Sequence, residues 1–595
     1  MEYFYMFRRL WQFADRERWK VIVYLVLHGL SNVGKLAQPL VFGLVIDVVQ
    51  RNSSRMTTEA VHWLLIYLLS YVVFEVFHRS ARPIERYVAF RNRQRFTTAM
   101  YDRLQSLPLG WHADNHSGAI IDRVNKAAQG LHSFSESQFL FVQYFMSFVG
   151  SLIMLWIISP AIALVALCAG VLLVYVTKKL YNLSVPAYRS QNEGFHKVSA
   201  GLFDYISNIR TIITLRLGHL ARQDIERRIN LVFPFLKKEN LYTQIKVAFS
   251  AAVMVGLDVG LIVYYIHVQH RSGHAVMAGS IAAIFLYLNM CMSSFRFYTG
   301  GFESVIHWKT DFEAVKLILD AKPNVPNSDG DALIGWTKLE LRNVNFSYGP
   351  NNHQLTDVSV QLRPGRRIAF VGESGAGKST ALQLLRALIV PQEGDLIKDD
   401  IENLPFGLLG TTTTLIPQEP EIFENTLRYN ITMGVPATED EIHLAMWTAA
   451  FSDVVEKLPS GLDTDMREKG VNFSGGQSQR LALARGIFSI RDSSIVLLDE
   501  PTSNVDPSTE MVIFERLFGR LSEKCIVCAL HRLHLLKLFD YIYVFKEGQI
   551  VEEGSLDELL TLRGEFTRLW GQYGLDDRDR HGESDGSRGR FSAVE

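Results

Sequence analysis

Long apolar runs fill the first half of the chain and predict membrane-spanning helices. Ser137–Thr177 contains no Asp, Glu, Lys or Arg over 41 residues. That length is too great for one helix across a hydrocarbon core of about 30 Å, and it suits two. Ser159-Pro160, near the middle, predicts the turn between them. The alternative is a buried hairpin of a soluble protein, but soluble core helices rarely run so far without a charge.

Four further segments have the same apolar character. They and their single charges are Val21–Ile46 with Lys35, Val61–Phe77 with Glu75, Val247–His270 with Asp258, and Ser272–Phe295 with none. Together with the first pair they predict six spans, all before about residue 300. The bounds of the helices remain open, because flanking helix can continue beyond the bilayer.

The basic residues of the connections predict how the spans are oriented. Arg79–Phe134 holds nine Lys and Arg against four Asp and Glu, and Lys178–Lys246 is also rich in basic residues. By the positive-inside tendency both connections lie in the cytoplasm, with both termini, and the expected location is the cell (inner) membrane. Connections of this length are improbable as loops. We therefore expect cytoplasmic extensions of the spanning helices, with turns near Trp111–Gly118 and Ile206–Thr211.

The pattern changes after residue 320, where a polar stretch, Pro323–Asp331, predicts a linker. Short β-branched runs then alternate with amphipathic stretches, which is typical of an α/β domain. The last residues are charged and rich in Gly and Ser, which favours disorder. The predicted organisation is a membrane domain at 1–320, a linker at 321–334, an α/β domain at 335–574 and a disordered tail at 575–595.

A phosphate-binding motif stands near the start of the α/β domain. Arg367–Val371 reads as a strand and is followed by G-x-x-x-x-G-K-[ST] and then a helical stretch, which is the context the motif requires. The predicted nucleotide-binding residues are Gly372, Glu373, Ser374, Gly375, Ala376, Gly377, Lys378, Ser379 and Thr380. Backbone N–H groups and the helix start would cradle the phosphates. Lys378 would reach the β- and γ-phosphates, and the Ser379 hydroxyl would bind Mg²⁺.

A second buried-strand pattern ends in two carboxylates, Asp499 and Glu500. Beside a phosphate loop, Asp499 is predicted to help bind Mg²⁺ and Glu500 to polarise an attacking water. Between the two strands, Ser474-Gly475-Gly476 precedes a helical pattern and forms another candidate anion-binding helix start. The two helix starts could serve one nucleotide or two different ones.

These residues resemble the ATP-binding cassette (ABC) transporters, and in particular exporters with one six-helix membrane domain fused to one nucleotide-binding domain. The implied fold class is an all-α membrane domain followed by a cytoplasmic α/β P-loop domain. The resemblance covers nearly the whole chain except the tail. Phe473, Ser474, Gly475, Gly476 and Gln477 spell FSGGQ, against the family signature LSGGQ. The resemblance implies a head-to-tail dimer in which each ATP lies between one chain's phosphate loop and the other chain's signature.

The resemblance also implies roles for residues outside these motifs. Tyr348 matches the aromatic that stacks on adenine, Gln418 the glutamine that touches Mg²⁺, and His531 the histidine that contacts the γ-phosphate. Ser503 and Asp506 match the D-loop, although Asn504-Val505 between them departs from the usual Ala-Leu. Arg467–Gly470 resembles a loop that contacts the cytoplasmic helices, although the family often has Gly where Arg467 stands.

The expected function is ATP-driven export with ATP and Mg²⁺ as cofactors, and the expected catalytic residues are Glu500, His531 and Gln418. Nothing needed for hydrolysis is missing, which favours a homodimer over pairing with a second half-transporter. An ATP-gated channel or a membrane-anchored regulatory ATPase is the alternative. Six spans disfavour a soluble ABC ATPase of DNA repair or translation, and import is disfavoured by the resemblance alone.

The net charge of the whole chain is nearly zero, but its two halves carry opposite net charges. The total is −1, which argues against a generally basic nucleic-acid binder. Residues 1–330 carry +12 and residues 331–595 carry −13, so the membrane half is basic and the α/β half is acidic. Substrate identity stays open. The polar side chains in or near the spans are His28, Asn32, Lys35, Asp258, Asn289 and Arg296.

Overall fold

The computed structural model describes residues 2–51, 54–115, 117–323, 333–349, 353–466, 473–491 and 493–580. They form two compact units. The membrane unit comprises Met1–Gln105 and Asn115–Ala321, and the nucleotide unit comprises Ser106–Asp114 and Lys322–Glu595. The predicted linker lies mostly outside the described residues, as do the loop Arg467–Gly470 and residues 581–595.

Eleven helices precede the linker in the described part of the chain, and all but α4 belong to the membrane unit. They are α1 (Glu2–Ala14), α2 (Arg18–Arg51), α3 (Met56–Gln105), α4 (Leu109–Asp114), α5 (Ser117–Glu136), α6 (Gln138–Ile158), α7 (Pro160–Ser207), α8 (Ile209–Thr214), α9 (Gly218–Arg271), α10 (Ala278–Glu313) and α11 (Lys316–Asp320).

Six described segments are long and apolar enough to cross a membrane, which confirms the predicted number of spans. The turn at Ser159-Pro160 is also confirmed, because Ser159 is extended and Pro160 is the first residue of α7. A proline suits that position, since the first helical N–H has no acceptor in its own helix. The sixth apolar segment, Ser272–Phe295, begins a few residues before its helix. α10 starts at Ala278, after a turn that contains Gly273 at φ +71°.

Three of the spanning helices extend well beyond the length of a bilayer, as predicted. α3 has 50 residues, α7 has 48 and α9 has 54, well beyond the roughly 20 that a bilayer requires. Both predicted turn regions contain a short helix rather than a simple turn, namely α4 and α8.

Close helix packing in the membrane unit depends on glycine. A Cβ on Gly34 of α2 would lie 2.6 Å from the Ser70 carbonyl of α3. A Cβ on Gly43 would lie 2.6 Å from the Gly279 carbonyl of α10. Small residues allow such approaches between membrane helices, where packing replaces the hydrophobic effect as the driving force. α2 is therefore fixed against both neighbours.

Ten strands and nine further helices form the rest of the nucleotide unit in the described residues. The strands are β1 (Leu339–Ser347), β2 (His353–Leu362), β3 (Arg367–Gly372), β4 (Glu393–Lys398), β5 (Ile401–Leu404), β6 (Thr413–Ile416), β7 (Ile495–Asp499), β8 (Cys525–Ala529), β9 (Tyr541–Lys546) and β10 (Gln549–Gly554). The helices are α12 (Lys378–Leu385), α13 (Leu409–Thr412), α14 (Leu427–Thr432), α15 (Glu439–Thr448), α16 (Ser452–Val455), α17 (Gly475–Ser489), α18 (Pro507–Arg520), α19 (Leu556–Leu562) and α20 (Glu565–Arg580).

The strands form two sheets. An antiparallel sheet has the order β2-β1-β4-β5, and a six-stranded sheet has the order β10-β9-β3-β8-β7-β6. In the second sheet all neighbours are parallel except β9 and β10. Alternate residues of its central strands enter two different apolar clusters, for example Leu497 in one and Leu498 in the other. Both faces are covered, which explains why these strands read as continuous apolar runs.

The disordered tail was predicted to start at residue 575, and this bound is wrong. α20 continues to Arg580, so the first six residues of that range are helical. The sequence between Gly574 and Gly582 contains no Gly or Pro to end the helix, and its charged residues tolerate helical backbone.

Candidate nucleotide site

Parallel strands bring the predicted site residues to one edge of the six-stranded sheet. β3 ends at Gly372, β7 at Asp499 and β8 at Ala529, and the register pairs Asp499 with Ala529. β6 ends one strand further along, two residues before Gln418. Loops that follow the carboxyl ends of parallel strands are the usual location of ligand sites in such sheets.

The phosphate loop joins β3 to α12, and three of its glycines, Gly372, Gly375 and Gly377, have positive φ. Gly372 has φ +151°, and a Cβ there would collide with the Phe545 carbonyl. Gly377 has φ +104°, and a Cβ would lie 2.9 Å from the Gln354 carbonyl. Within the described residues, the backbone N–H groups of Ser374, Gly375 and Gly377 have no protein acceptor. Unpaired donors at a helix start form the anion-binding cradle expected for phosphates.

Lys378 is buried at the first position of α12. Its Nζ donates to the Gly372 carbonyl at 2.7 Å and to the Glu373 carbonyl at 2.9 Å. Burial lowers the pKa of the ammonium, while the negative charges of Glu500 and Asp499 oppose that shift. The two carbonyl contacts hold the Lys378 Nζ beside the phosphate loop.

Ser379 and Asp499 are brought together as predicted. The Ser379 hydroxyl donates to Asp499 Oδ1 at 3.0 Å. Burial raises the pKa of Asp499, and the hydrogen bond from Ser379 acts in the opposite direction. A hydroxyl and a carboxylate next to a phosphate cradle are the oxygen donors that Mg²⁺ prefers, so the residues present fit this ion.

Glu500 is held by the other two predicted catalytic residues. Gln418 Nε2 donates to Glu500 Oε2 at 2.9 Å, and His531 Nε2 lies 2.7 Å from Glu500 Oε1. The Glu500 backbone has φ +46°, an uncommon conformation for a residue with a side chain. Such strain is found at functional sites when the surroundings enforce it. The structure therefore places Glu500, Gln418 and His531 in one connected group.

The signature residues form the start of α17. Ser474 caps the helix by accepting from Gln477 N at 3.3 Å, while the Gln477 side chain accepts from Ser474 N at 2.9 Å. Phe473 packs edge-on against Phe451 at 5.7 Å. No hydrogen bond among the described residues joins Phe473–Gln477 to Gly372–Thr380. The phosphate loop and the signature of one chain thus remain separate groups in their hydrogen bonding.

Tyr348 directly follows β1 and is 53% exposed, so its ring is not a core aromatic. Its hydroxyl donates to Gln383 Oε1 at 3.0 Å, and its ring centroid lies 4.9 Å from that of Phe346 in a T-shaped arrangement. More than half of the side chain is exposed, so the ring is accessible for stacking. The assignment of Tyr348 to adenine remains a prediction.

Two positioning residues, Gln479 and Arg532, were not predicted from the sequence. Gln479 Nε2 donates to the Glu500 carbonyl at 3.1 Å and to Ser503 Oγ at 3.0 Å. Arg532 donates to the carbonyls of Val505 and Ser503 and to Glu510 Oε2, at 2.8, 3.0 and 3.0 Å. Their only sequence signal is proximity, because Gln479 follows the signature by two residues and Arg532 directly follows His531.

Comparisons with known proteins agree with this architecture. The family model of the ABC transporter transmembrane region matches residues 21–295, and the ABC transporter model matches residues 355–503. The beta-(1→2)glucan export ATP-binding/permease protein NdvA of Rhodopseudomonas palustris (strain BisA53) is 29% identical and covers 95% of each chain. The heavy metal tolerance protein of Schizosaccharomyces pombe is 26% identical over 96% of this chain and 70% of its own.

The solved structure of a bacterial Atm1-family ABC exporter with ATP bound has the same fold, with a TM-score of 0.83. It is 22% identical and covers 96% of this chain and 99% of its own. The two matched family models together span more than half of the chain, in the order membrane region and then ATP-binding region. The chain belongs to the ABC transporters, as an exporter-type polypeptide that fuses one helical membrane domain to one nucleotide-binding domain.

Proposed function

We propose that two copies of this chain form an ATP-driven exporter that binds and hydrolyses ATP at two shared sites and moves a substrate outward across the membrane. The observation that carries the proposal is the connected group at the sheet edge. Gln418 and His531 hold both oxygens of Glu500, while Ser379 and Asp499 stand beside the phosphate loop. A carboxylate held in this way is oriented before the substrate arrives.

Each residue then has a role in phosphoryl transfer to water. Glu500 orients and polarises the attacking water. His531 holds Glu500 in position and contacts the γ-phosphate. Lys378 exchanges its two carbonyl acceptors for phosphate oxygens. Ser379, Asp499 and Gln418 are the residues that we assign to hold Mg²⁺, which neutralises charge on the phosphate oxygens when bound.

We propose that the signature of one copy completes the site of the other. Phe473–Gln477 has no hydrogen bond to the phosphate loop of its own chain among the described residues, yet it forms a second helix start suited to an anion. One chain contains every residue that hydrolysis requires, so a homodimer is sufficient. ATP held between two copies draws their nucleotide-binding domains together.

The proposed domain limits are 1–320 for the membrane domain and 335–574 for the nucleotide-binding domain, with both termini in the cytoplasm. Closure of the nucleotide-binding domains is transmitted through the regions of α4 and α8, and the helix bundle then opens outward. Hydrolysis and product release return the dimer to its open form.

Mixed dimers test the shared sites. One copy carries Lys378→Ala and the other carries Ser474→Ala. If the sites are shared, both changes fall in the same site, and the other site keeps an intact phosphate loop and an intact signature. Hydrolysis should then exceed that of either variant homodimer. The matched control pairs a wild-type copy with a copy that carries both changes, which leaves no intact shared site. If the control is active and the first pair is not, each site lies within one chain and the proposal is wrong.

Reconstituted vesicles distinguish export from the alternative. Vesicles with outward-facing nucleotide-binding domains should accumulate substrate above its equilibrium level when ATP is supplied. A passive flux that only dissipates a gradient would indicate an ATP-gated channel, and hydrolysis without any flux would indicate a regulatory ATPase.

A further inference from the structure

Asp258 is the one formally charged residue of the predicted span Val247–His270. It lies on α9 at nearly equal distance from both ends of that span. At 1.5 Å per residue, about 17 Å of helix separates it from each end. This places Asp258 close to the centre of a hydrocarbon core of about 30 Å. A charged side chain at this depth is costly and usually faces a ligand pathway or a partner.

The carboxylate has one described polar partner, Asn289 on α10. Asn289 Nδ2 donates to Asp258 Oδ2 at 3.3 Å and to the Phe285 carbonyl at 2.9 Å. Asn289 also lies near the middle of its membrane segment, Ala278–Phe297. Asp258 Oδ1 is buried and has no hydrogen-bond partner among the described residues. Half of the accepting capacity of this carboxylate is therefore unused.

Two other acidic residues of the membrane unit, Glu85 and Asp47, have polar partners of a different kind. The fully buried Glu85 contacts Arg82 at 2.7 Å and His28 at 3.2 Å, and it accepts from Phe139 N at 2.8 Å. Asp47 accepts from Gly279 N at 2.7 Å, at the start of α10. Of these three acidic residues, Asp258 alone has neither a cationic partner nor a backbone donor among the described residues.

The surroundings of Asp258 are apolar and adaptable. Met254 and Leu261, one turn away on the same face of α9, pack into the apolar cluster of the bundle. α10 contributes Met292 and Phe295 to that cluster. Methionine adapts to ligands of different shape, and aromatic faces attract cations. The membrane unit already contains such a cation–aromatic contact, since the Lys35 ammonium lies 5.8 Å from the Phe74 ring centre.

We propose that Asp258, oriented by Asn289, binds the positive charge of a lipophilic organic cation, and that such cations are the substrate class of the transporter. This rests on the proposed function for the transport step but not for binding. The Asp258 carboxylate balances the positive charge of the ligand at the centre of the membrane, where no water solvates it. The apolar wall of α9 and α10 supplies contact for the hydrophobic body of the ligand. Anionic amphiphiles of the same size are rejected by the same carboxylate.

The probes are tetraphenylphosphonium and tetraphenylborate, which have nearly the same shape and opposite charge. Binding is measured on the full chain in lipid nanodiscs without nucleotide, against empty nanodiscs. The wild type should bind the phosphonium saturably and should not bind the borate above the empty nanodiscs. Asp258→Asn should weaken phosphonium binding by about tenfold or more, as expected when a buried charge pair loses one partner. Asp258→Glu keeps the charge and should retain most of the affinity.

Glu75→Gln is the matched control, because it removes the only acidic group of the predicted span Val61–Phe77, which is partly exposed and paired with Arg79. It should leave phosphonium binding unchanged. Equal phosphonium affinity in Asp258→Asn and wild type would overturn the proposal, and so would equal binding of the two probes by the wild type. Wild-type ATP hydrolysis is measured in parallel. Lost hydrolysis refutes the proposed function, whereas missing phosphonium binding with intact hydrolysis refutes only the substrate class.

Discussion

Glu500 and Asp258 are both acidic side chains in candidate sites, but the two units surround them differently. Both oxygens of Glu500 have a polar side-chain partner within 2.9 Å. Asp258 has one partner at 3.3 Å and a buried oxygen with none among the described residues. The reaction with ATP is the same for every substrate, so its groups can be fixed in advance. A substrate site needs a group that remains available to the ligand.

The largest loss of stability is expected for substitution of Glu510. This buried residue accepts a hydrogen bond from Arg532, which directly follows His531 of the nucleotide site. The Glu510 side chain is 2% exposed, accepts from Thr502 and Arg532, and lies 3.3 Å from His534. Glu510→Ala leaves buried donors unpaired and should destabilise the nucleotide unit by about 3–5 kcal/mol. The readout is the melting temperature of the full chain, together with its rate of ATP hydrolysis.

Glu515→Ala, on the exposed face of the same helix α18, is the control for Glu510. It should change neither measurement. Similar losses of melting temperature and hydrolysis in both variants would mean that the hydrogen bonds of Glu510 do not stabilise the nucleotide unit. The contrast between this unit and Asp258 would then fail.

A smaller effect is expected at the start of α17, where two adjacent glycines differ in their surroundings. A Cβ on Gly476 would lie 2.7 Å from the Asn504 carbonyl, whereas a Cβ on Gly475 has no neighbour nearer than 3.9 Å. Gly476→Ala should lower stability by about 1–3 kcal/mol, because the rigid backbone of the D-loop must move. Gly475→Ala should change it little. Melting without nucleotide separates the two, and equal melting temperatures would contradict the close packing described for this region.

The smallest effect is expected at Glu565, a charged contact of the nucleotide unit outside the site. Hydrogen bonds from Arg568 and Lys546 lower its pKa from 4.5 to about 2. A lowered pKa stabilises the fold above the ordinary value, and that contribution is lost as the pH falls toward 2. Glu565→Gln should therefore cost less than about 1 kcal/mol at pH 7, as for other solvent-screened pairs.

The pH dependence provides the check on Glu565. The difference in melting temperature between wild type and Glu565→Gln should stay nearly constant from pH 7 to about 5 and shrink as the pH is lowered from 4.5 toward 2. Glu523→Gln changes an exposed residue with no polar partner among those described, and it should show no such trend. A difference that grows toward low pH would reverse the assigned sign.

The juxtaposition of residues at the candidate nucleotide site could be predicted from the sequence because these residues lie in short motifs. The loop between β3 and α12 and the carboxylates after β7 each lie within a few residues of a recognisable strand. Parallel strands then bring these ends to one edge by topology alone. Gln418 and His531 required the family resemblance, since neither residue has an informative neighbour pattern of its own.

The membrane unit was predictable in its spans and not in its polar contacts. The absence of charge gave the six segments, but residues 57 apart form the His28–Glu85 contact. Asp258 and Asn289 were both named from the sequence, yet nothing in their spacing predicts that they pair across α9 and α10. Such contacts depend on helix rotation and packing, which an almost uniformly apolar sequence does not specify.

The proposed hydrolysis mechanism depends most on Glu500 as the residue that activates water, and one measurement tests this role directly. The rate of ATP hydrolysis is measured for the full-length Glu500→Gln chain in lipid nanodiscs, with ATP retention recorded on the same sample. Loss of a general base should lower the rate by about 100-fold or more while ATP stays bound and the closed dimer accumulates. A rate near that of the wild type would contradict the role of Glu500 and the mechanism built on it.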